Sequence, residues 1–363
     1  MSQTTFIIVW LAAMTFISNI SLTTRRESVL GKKEIRTNWW FAICVFAPVF
    51  IQAAFRTDIG DTYSYRTMFE KLPDTVSDLV KYIPTVAKDK GFFFLSGLIK
   101  NVFGSNTTVY FLILALFQSM VLVSVYRKYS SQYLVSVFLF VASTDYLSWM
   151  FNGIRQFTAV TVLFAATGLI LKKKWIATLV IILLASTIHQ SALVMIPILI
   201  IAQGQAWNRK SVLFLLTALI AITFVNQFTN ILDGMMQETQ YANMVSDWNE
   251  WGDDGTNVMR VLVYSVPTIF SLIGLKRIQA EDDSLINFCT NMSVVSTGIY
   301  IISMFTSGIF IGRLPIYASL YNYILLPWEL KHVFTKESER LIKIVMVGAY
   351  LIFYWYQVTV VWK

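Results

Sequence analysis

Long apolar stretches separated by short polar segments dominate the chain. An α-helix needs about 20 apolar residues to cross the hydrocarbon core of a bilayer, and many of these stretches approach that length. Because only helices and closed barrels satisfy their backbone hydrogen bonds in lipid, the pattern predicts an all-α polytopic membrane protein. The predicted spans, about twelve including one short broken pair, cover residues 4–22, 39–55, 106–126, 133–151, 157–171, 175–188, 191–203, 211–229, 258–275, 285–305, 314–330 and 342–361.

Basic residues in alternate loops predict the orientation of these spans. Lys and Arg are enriched in cytoplasmic loops, so the loops that carry them are assigned to the cytoplasm. Both termini are then expected outside, which requires an even number of crossings. The residues behind this assignment are Arg25, Arg26, Lys32, Lys33, Arg36, Arg127, Lys128, Lys172 to Lys174, Arg209, Lys210, Lys276, Arg277, Lys331, Lys336, Arg340 and Lys343.

Two apolar segments are too short for simple crossings. Residues 91–103 carry Lys100 and predict an interfacial or re-entrant helix. Residues 175–202 must leave the cytoplasm and return to it, yet they supply only about 42 Å of helix for a core about 30 Å thick. A short broken helix pair is therefore expected there, with His189 at its turn.

One integral membrane domain, residues 1–363, is expected to carry two sizeable external loops. The first, residues 56–105, has apolar positions at helical spacing between residues 76 and 83, which predicts an amphipathic helix. The second, residues 230–257, is acidic and contains no Lys or Arg. It is expected to cover the exit of a product or to be a solvated cap.

Composition narrows the chemistry further. The chain is 56% hydrophobic and 14% charged, and its formal charge of +8 comes mainly from the short loops that encode topology, so nucleic-acid binding is not indicated. Two histidines and two cysteines without paired spacing predict no metal site. Without a Walker loop or a dinucleotide glycine pattern, ATP and NAD are not indicated either, and no cofactor is expected.

The segment FRTDIGDTYSYRTMFE, residues 55–70, directly follows a span and concentrates polar chemistry at its outer boundary. Two arginines suit an anionic ligand, and two carboxylates suit proton transfer. The alternative is a solvated loop that begins with a glycine turn. The polar residues of this segment are Arg56, Asp58, Asp61, Tyr63, Tyr65 and Arg66.

Three further positions add polar groups on the same side. In NGIRQF, residues 152–157, Arg155 opens a helix, where it binds a ligand, snorkels to the interface or pairs with Asp145. His189 lies at a chain reversal, and imidazole titrates near neutral pH, although a lone membrane histidine is more often a satisfied core group. Arg313 ends an external connection and precedes Pro315, which suits the first turn of a helix.

Cationic side chains near hydrocarbon are costly, at roughly 2.5–3.5 kcal/mol for a helix centre and less toward the surface. Arg56, Arg66, Arg155 and Arg313 all fall at outer ends of apolar segments. We therefore predict that they gather around one outward-facing cavity that binds an anion.

The order and spacing of these motifs resemble the EpsG-like branch of the Wzy-type bacterial polysaccharide polymerases. The resemblance rests on RTDIGDTYSY, NGIRQF, HQSAL and a downstream Gly-Arg pair, and it covers most of residues 50–330. The family pattern reads G-x-D followed by a tyrosine, whereas Gly60 and Asp61 are adjacent here. Either Asp58 or Asp61 therefore corresponds to the family aspartate.

This resemblance implies a GT-C-like fold in the bacterial cytoplasmic membrane, with an active site that faces outward. It implies a glycosyltransferase, independent of metals and nucleotides, that joins oligosaccharide repeat units carried on undecaprenyl pyrophosphate, with lipid pyrophosphate as the leaving group. The implied partners are the lipid-linked donor and acceptor, membrane lipid, a chain-length-determining co-polymerase and a flippase, and no nucleic acid.

Residue roles follow from this interpretation. Arginine's planar fork suits phosphate oxygens, so Arg155 and Arg313 are expected to bind pyrophosphate with help from Arg56 or Arg66. The catalytic candidates are Asp61, Asp58 and His189. The substrate-binding candidates are Arg56, Tyr63, Tyr65, Arg66, Asn152, Arg155, Gln156 and Arg313.

Two other functions compete with the polymerase. A transporter or flippase of lipid-linked sugars fits about twelve spans and a broken helix pair, but such proteins often show internal symmetry, which the sequence lacks. A membrane O-acyltransferase would use a histidine deep in the membrane, but it would not explain the arginines.

Overall fold

The structure, a computed structural model, describes residues 3–236 and 254–362, and almost all of its elements are helices. The chain divides into two compact units, residues 1–193 with 348–363 and residues 194–347. The helices are α1 (Gln3–Ile17), α2 (Trp39–Ala54), α3 (Thr62–Glu70), α4 (Val76–Tyr82), α5 (Lys90–Phe103), α6 (Thr107–Tyr129), α7 (Tyr133–Ala142), α8 (Ile154–Ala165), α9 (Thr167–Leu171), α10 (Trp175–Ile188), α11 (Met195–Ala202), α12 (Arg209–Thr223), α13 (Val225–Met236), α14 (Val258–Ile273), α15 (Leu275–Glu281), α16 (Ser284–Met304), α17 (Ile316–Ser319), α18 (Asn322–His332) and α19 (Lys336–Tyr356).

Within the described residues, three helical segments are long and apolar enough to cross a bilayer unaided: Thr107–Tyr129, Ser284–Met304 and Lys336–Val361. Counting α14 and α15 as one span bent by 70° gives a fourth. Six further apolar helices have between 10 and 17 residues. The prediction of an all-α membrane protein is therefore confirmed.

One predicted span, residues 133–151, is not a continuous helix. α7 ends at Ala142, Thr144 adopts a left-handed conformation with φ of 62°, and a π-helical segment follows over Tyr146–Phe151. The hydroxyls of Ser143 and Thr144 donate to nearby backbone carbonyls, which competes with helical hydrogen bonding. This interruption matters for the candidate site, because π segments redirect backbone groups and are frequent at functional sites.

The first basic loop is a β-hairpin rather than irregular chain. Strands β1 (Thr24–Val29) and β2 (Lys32–Thr37) pair antiparallel, with Thr24 opposite Thr37. The two turn residues, Leu30 and Gly31, both have positive φ, as the common hairpin turn requires. The sequence prediction missed the strands because basic residues dominate them.

Side chains from α6 and its C-terminal end hold this hairpin. Arg127 forms an ion pair with Glu27 and lies over the Trp39 ring at 4.4 Å, and Arg36 donates to the carbonyl of Ser130. The pairing with Arg127 lowers the pKa of Glu27 below its usual range. Two loops that charge assigned to the same side of the membrane are thus in contact.

The first unit is built around α6, which packs against α2 and α8, while α10 packs against α8 and α5. Aromatic side chains fill the space between α6 and the helices of residues 56–105. The Phe69 and Tyr110 rings are stacked with centroids 4.2 Å apart, and Phe92 meets Tyr65 edge to face at 5.9 Å. This aromatic core supports α3 and α5, which carry parts of the candidate site.

The second unit is built around α16, which is buried along nearly its whole length and contacts α12, α14 and α18. Two groups of polar side chains on α16 are hydrogen-bonded within the unit. The Asn291 side chain accepts from the backbone N–H of Trp207 at 2.9 Å and donates to the carbonyl of Gln205 at 2.9 Å. Thr268 hydrogen-bonds both Ser293 and Thr297, at 2.6 and 2.7 Å.

Glu329 of α18 is a buried acid without such hydrogen bonds among the described residues. Its side chain is fully buried, and neither carboxyl oxygen has a hydrogen-bond partner in the described part of the chain. A charge that is buried without a partner is costly, whereas a neutral amide of the same size costs much less.

We expect Glu329→Gln to retain the stability of the wild-type protein and Glu329→Lys to lose about 3–5 kcal/mol, as for an uncompensated buried charge. Thermal melts of both purified variants in the same detergent measure the difference. Equal losses for Gln and Lys would show that the carboxylate itself is needed at this position.

Candidate functional site

Arg155 is held at the first turn of α8 by two residues that are distant in sequence. Its backbone N–H and its Nε both donate to the Tyr65 hydroxyl at 3.3 Å, and its Nη1 contacts Asp89 Oδ2 at 3.0 Å. The guanidinium is 28% exposed, and its Nη2 makes no hydrogen bond within residues 3–236 and 254–362. This nitrogen is therefore available to an anionic ligand, while the rest of the group is fixed.

Asp89 connects Arg155 of NGIRQF to the backbone of Gln190 in HQSAL. Its side chain is only 2% exposed, and its Oδ1 accepts from the backbone N–H of Gln190 at 3.4 Å. Burial raises the pKa of Asp89, and the charge of Arg155 opposes that shift. Asp89 also has a left-handed backbone, with φ of 56°, immediately before α5.

Close backbone packing brings Asp89 to this position. A Cβ at Gly91 would lie 2.9 Å from the backbone carbon of Thr187, so only glycine allows the start of α5 to approach the end of α10 this closely. Asp89 was not nominated from sequence, because an aspartate between two lysines is typical of a solvated loop. Its position directly before an apolar helix was the available signal.

Asp61 lies at the N-terminus of α3, and a hydrogen bond to the π-helical segment holds its backbone in place. Its backbone N–H donates to the carbonyl of Phe151 at 3.2 Å. With the Asn152 amide oriented nitrogen toward the carboxylate, Nδ2 donates to both Asp61 oxygens, at 2.8 and 3.1 Å. The preceding Gly60 has φ of 59°, and a Cβ there would be 3.1 Å from the Phe151 carbonyl oxygen, so this turn requires glycine.

A cavity of about 300 Å³ joins these groups. It has polar groups on one part of its wall and apolar side chains on another, and its volume is at the lower end of typical ligand pockets. Its lining residues are Asp61, Ser64, Tyr65, Met68, Phe93 and Arg155. Three of the residues nominated from sequence, one carboxylate, one phenol and one guanidinium, therefore share a single cavity.

The Tyr65 side chain is mostly buried, and its hydroxyl accepts hydrogen bonds from Arg155. Burial raises the pKa of its hydroxyl, while the nearby Arg155 acts in the opposite direction. The neutral phenol is thus favoured, and its oxygen is a steady acceptor for the arginine.

Arg56 is placed differently from the expectation of a ligand-facing cation. It is buried between the Phe111 and Phe151 rings, 4.5 and 4.8 Å from their centroids, and it is outside the cavity lining. Its Nε donates to Ala53 and its Nη1 to Met150, each at 2.7 Å to the carbonyl oxygen. Burial lowers its pKa to about 10. Arg56 thereby joins the end of α2 to the π-helical segment.

The other nominated residues of the first polar segment, residues 55–70, lie outside the cavity lining. Asp58 pairs with Arg66 at 2.9 Å in a partly exposed ion pair, and Tyr63 is 68% exposed. Of the residues nominated in this motif, Asp61 and Tyr65 therefore line the cavity, together with Ser64 and Met68 of the same segment.

The remaining first-unit candidates surround the Arg155 network without lining the cavity. Gln156 is buried in α8. His189 follows the end of α10, and its Nδ1 is 2.7 Å from the Ser191 hydroxyl. The backbone of the next residue, Gln190, contacts Asp89, so His189 is one residue away from this network.

Arg313 belongs to the second unit, in a short 3₁₀ turn over Ile311–Arg313. Gly312 packs closely in that unit, because a Cβ there would lie 2.4 Å from the Thr256 hydroxyl. Trp248, Trp251 and most acids of the second predicted external loop lie outside the described residues. The convergence of Arg313 with Arg155 stays a prediction.

Comparison with known proteins now adds to this geometry. A search of curated proteins found no match, and a search of solved structures found none either. A model of the EpsG family matches residues 39–363, which include all three motifs and Asp89. The chain therefore belongs to the EpsG family, as the resemblance of its motifs predicted.

Proposed function

We propose that this protein is a polysaccharide polymerase that joins oligosaccharide repeat units carried on undecaprenyl pyrophosphate. Membership of the EpsG family supports a polymerase-like function. The observation that carries the proposal is that the Arg155 guanidinium and the Asp61 carboxylate line the same cavity. An anion-binding group and a potential base in one cavity suit glycosyl transfer with an anionic leaving group.

Arg155 serves the leaving group in this proposal. When the bond between the anomeric carbon and the pyrophosphate oxygen breaks, negative charge grows on that oxygen. The Arg155 Nη2 donates to it while Asp89 and Tyr65 hold the guanidinium in place. Donors fixed in advance are effective because they need no rearrangement as charge develops, and one such donor typically contributes 10²–10³-fold.

Asp61 serves the acceptor. A sugar hydroxyl of one repeat unit attacks the anomeric carbon of the growing chain, and Asp61 takes the hydroxyl proton as the new glycosidic bond forms. Asn152 holds the Asp61 carboxylate, while Met68 and Phe93 provide apolar surface for the sugar rings. Asp58 and His189 are the alternative bases.

Other residues extend this proposal. Arg66, Tyr63 and Gln156 contact the glycan outside the cavity. Arg56 acts by holding the π-helical segment. These assignments rest on the motif pattern, and each of them is a proposal.

The proposed setting is a bacterial cytoplasmic membrane with this cavity on the outer face. Asp61 follows the end of α2 and Arg155 lies in the first turn of α8. These helix ends are opposite the basic loops of residues 24–37 and 127–128, which supports that orientation. We further propose that the short apolar helices complete about twelve crossings in a GT-C-like arrangement. A flippase would deliver the substrates and a co-polymerase would set the product length.

Arg155→Ala should lower polymerisation by about 100-fold or more while the protein still folds, because it removes the donor to the leaving group. The measurement is the length distribution of lipid-linked glycans made by purified protein from lipid-linked repeat units. Lys71→Ala, an exposed charge removal at the end of α3, is the matched control and should behave as wild type. In cells that carry the same variant, lipid-linked repeat units that accumulate inside the cell, rather than single units outside it, would indicate a flippase.

Asp61→Asn should lower the rate by about 10²–10⁴-fold, because the amide cannot accept a proton. Asp58→Asn should have little effect, because Asp58 is in a partly exposed ion pair outside the cavity. The same glycan assay compares the two isosteric changes. A greater loss for Asp58 than for Asp61 would contradict our assignment of the base.

Asp89→Asn should lower activity through Arg155, because the amide cannot fix the guanidinium by charge. The sharpest readout is a double-mutant cycle on kcat with Arg155→Lys. In the Arg155→Lys background, Asp89→Asn should cost much less activity than in the wild type, while its effect on thermal stability persists. Additive losses of activity in the double variant would mean that Asp89 acts independently of Arg155.

A further inference from the structure

A second concave surface lies in the first unit, between α6 and the segment formed by α8 and α9. Its volume is about 500 Å³. One wall comes from Phe117, Met120 and Val121 of α6, and the other from Ala165 and Leu169. We call it the α6–α9 groove.

Small residues create the groove. Ala165 precedes the break between α8 and α9, and Gly168 leaves open space where another residue would place a side chain. A Cβ at Gly168 would lie 3.0 Å from the Tyr129 hydroxyl, so the two walls approach closely at this level. Toward the N-terminal part of α6 the apolar wall is exposed, because the side chains of Phe117 and Met120 are both partly open to the surroundings.

Three lysines line one end of the groove: Lys128, Lys172 and Lys174. All three side chains are exposed, and none pairs with an acid among the described residues. The lining contains no carboxylate, so the end of the groove is positively charged while its length is apolar. This arrangement complements a molecule with an anionic head and a hydrocarbon tail.

The groove is far from the candidate active site. Arg155 opens α8, whereas Lys172 follows α9, and the helical chain between them spans about 25 Å. Charge patterning assigns Lys128 and Lys172 to Lys174 to the cytoplasmic side, opposite the side proposed for the active site. A ligand here is therefore not the substrate bound at Arg155.

We propose that the α6–α9 groove binds an anionic diacyl phospholipid of the cytoplasmic leaflet. The phosphate lies among the three ammonium groups, and an acyl chain follows the apolar walls toward Phe117. Basic pockets between membrane helices on the cytoplasmic side recognise acidic lipid head groups through such charge complementarity. Trp175, exposed directly after the lysines, is a residue type that favours the interface where head groups lie.

The main alternative is that these lysines only encode topology. Lys173 separates the two explanations, because it has the same charge and exposure but does not line the groove. A purely topological role would make Lys172, Lys173 and Lys174 equivalent. A lipid site would make Lys172 and Lys174 important for lipid binding and Lys173 unimportant.

The test measures lipid retention by purified protein in neutral detergent, with native mass spectrometry and phosphatidylglycerol or phosphatidylcholine as probes. We expect wild type to retain phosphatidylglycerol in preference to phosphatidylcholine. Each lysine near a lipid head group is worth about fivefold in affinity, so the triple variant Lys128→Gln, Lys172→Gln and Lys174→Gln should lose about 100-fold. Lys173→Gln, the matched control, should retain phosphatidylglycerol as wild type does.

A second variant tests the apolar part of the site without changing charge. Ala165→Phe fills the groove from an exposed position and should reduce retention at least tenfold. Glycerol phosphate, which lacks acyl chains, should not displace the lipid. Displacement by glycerol phosphate, or an equal loss in Lys173→Gln, would overturn the proposal.

Two further outcomes would also overturn it. Equal retention of phosphatidylglycerol and phosphatidylcholine would remove the role of charge. Preferential retention of a polyprenyl phosphate would make the groove a carrier-lipid site instead of a phospholipid site. None of these measurements depends on polymerase activity, so they test the lipid site independently of the proposed function.

Discussion

The contact between Asp89 and Arg155 is the constraint on which the candidate site depends. The two residues are 66 positions apart, and Asp89 also accepts a hydrogen bond from a backbone 101 positions further on. One nearly buried carboxylate thereby joins the starts of α5 and α8 to the chain that follows α10. An ionised carboxylate is costly to bury unless it is paired and hydrogen-bonded, so these segments have to meet for the site to form.

Hydrophobic pattern and charge predicted much of the architecture. The positions of α2, α6, α10 and α16 follow from the length of the apolar stretches. A segment in lipid has to satisfy its backbone hydrogen bonds internally, so a long apolar stretch forms a helix. Interruptions were harder to foresee. The break at Thr144 depends on local hydroxyl hydrogen bonds, and the hairpin of residues 24–37 depends on contacts with α6, neither of which changes the hydrophobic pattern.

The structure places the residues nominated from sequence in different surroundings, and these differences have a common physical origin. Asp61, Tyr65 and Arg155 were nominated from sequence and share one cavity. Arg56 was nominated for the same reasons, yet it turns inward and binds backbone carbonyls. A sequence places a charge at the end of a helix but does not give the direction of its side chain. Asp89 was missed for the converse reason, because burial of an acid between lysines arises only from distant packing.

The π-helical segment Tyr146–Phe151 gives the site an unusual kind of support. Its hydrogen bonds to Arg56 and Asp61 come from the carbonyl oxygens of Met150 and Phe151, at 2.7 and 3.2 Å. Carbonyl oxygens survive replacement of the side chains that accompany them. An alanine scan across this stretch would leave both acceptors in place and would remove only the Phe151 ring that faces Arg56, whereas inserting or deleting a single residue would shift both acceptors at once. Segment length, more than residue identity, sets the positions of these two acceptors.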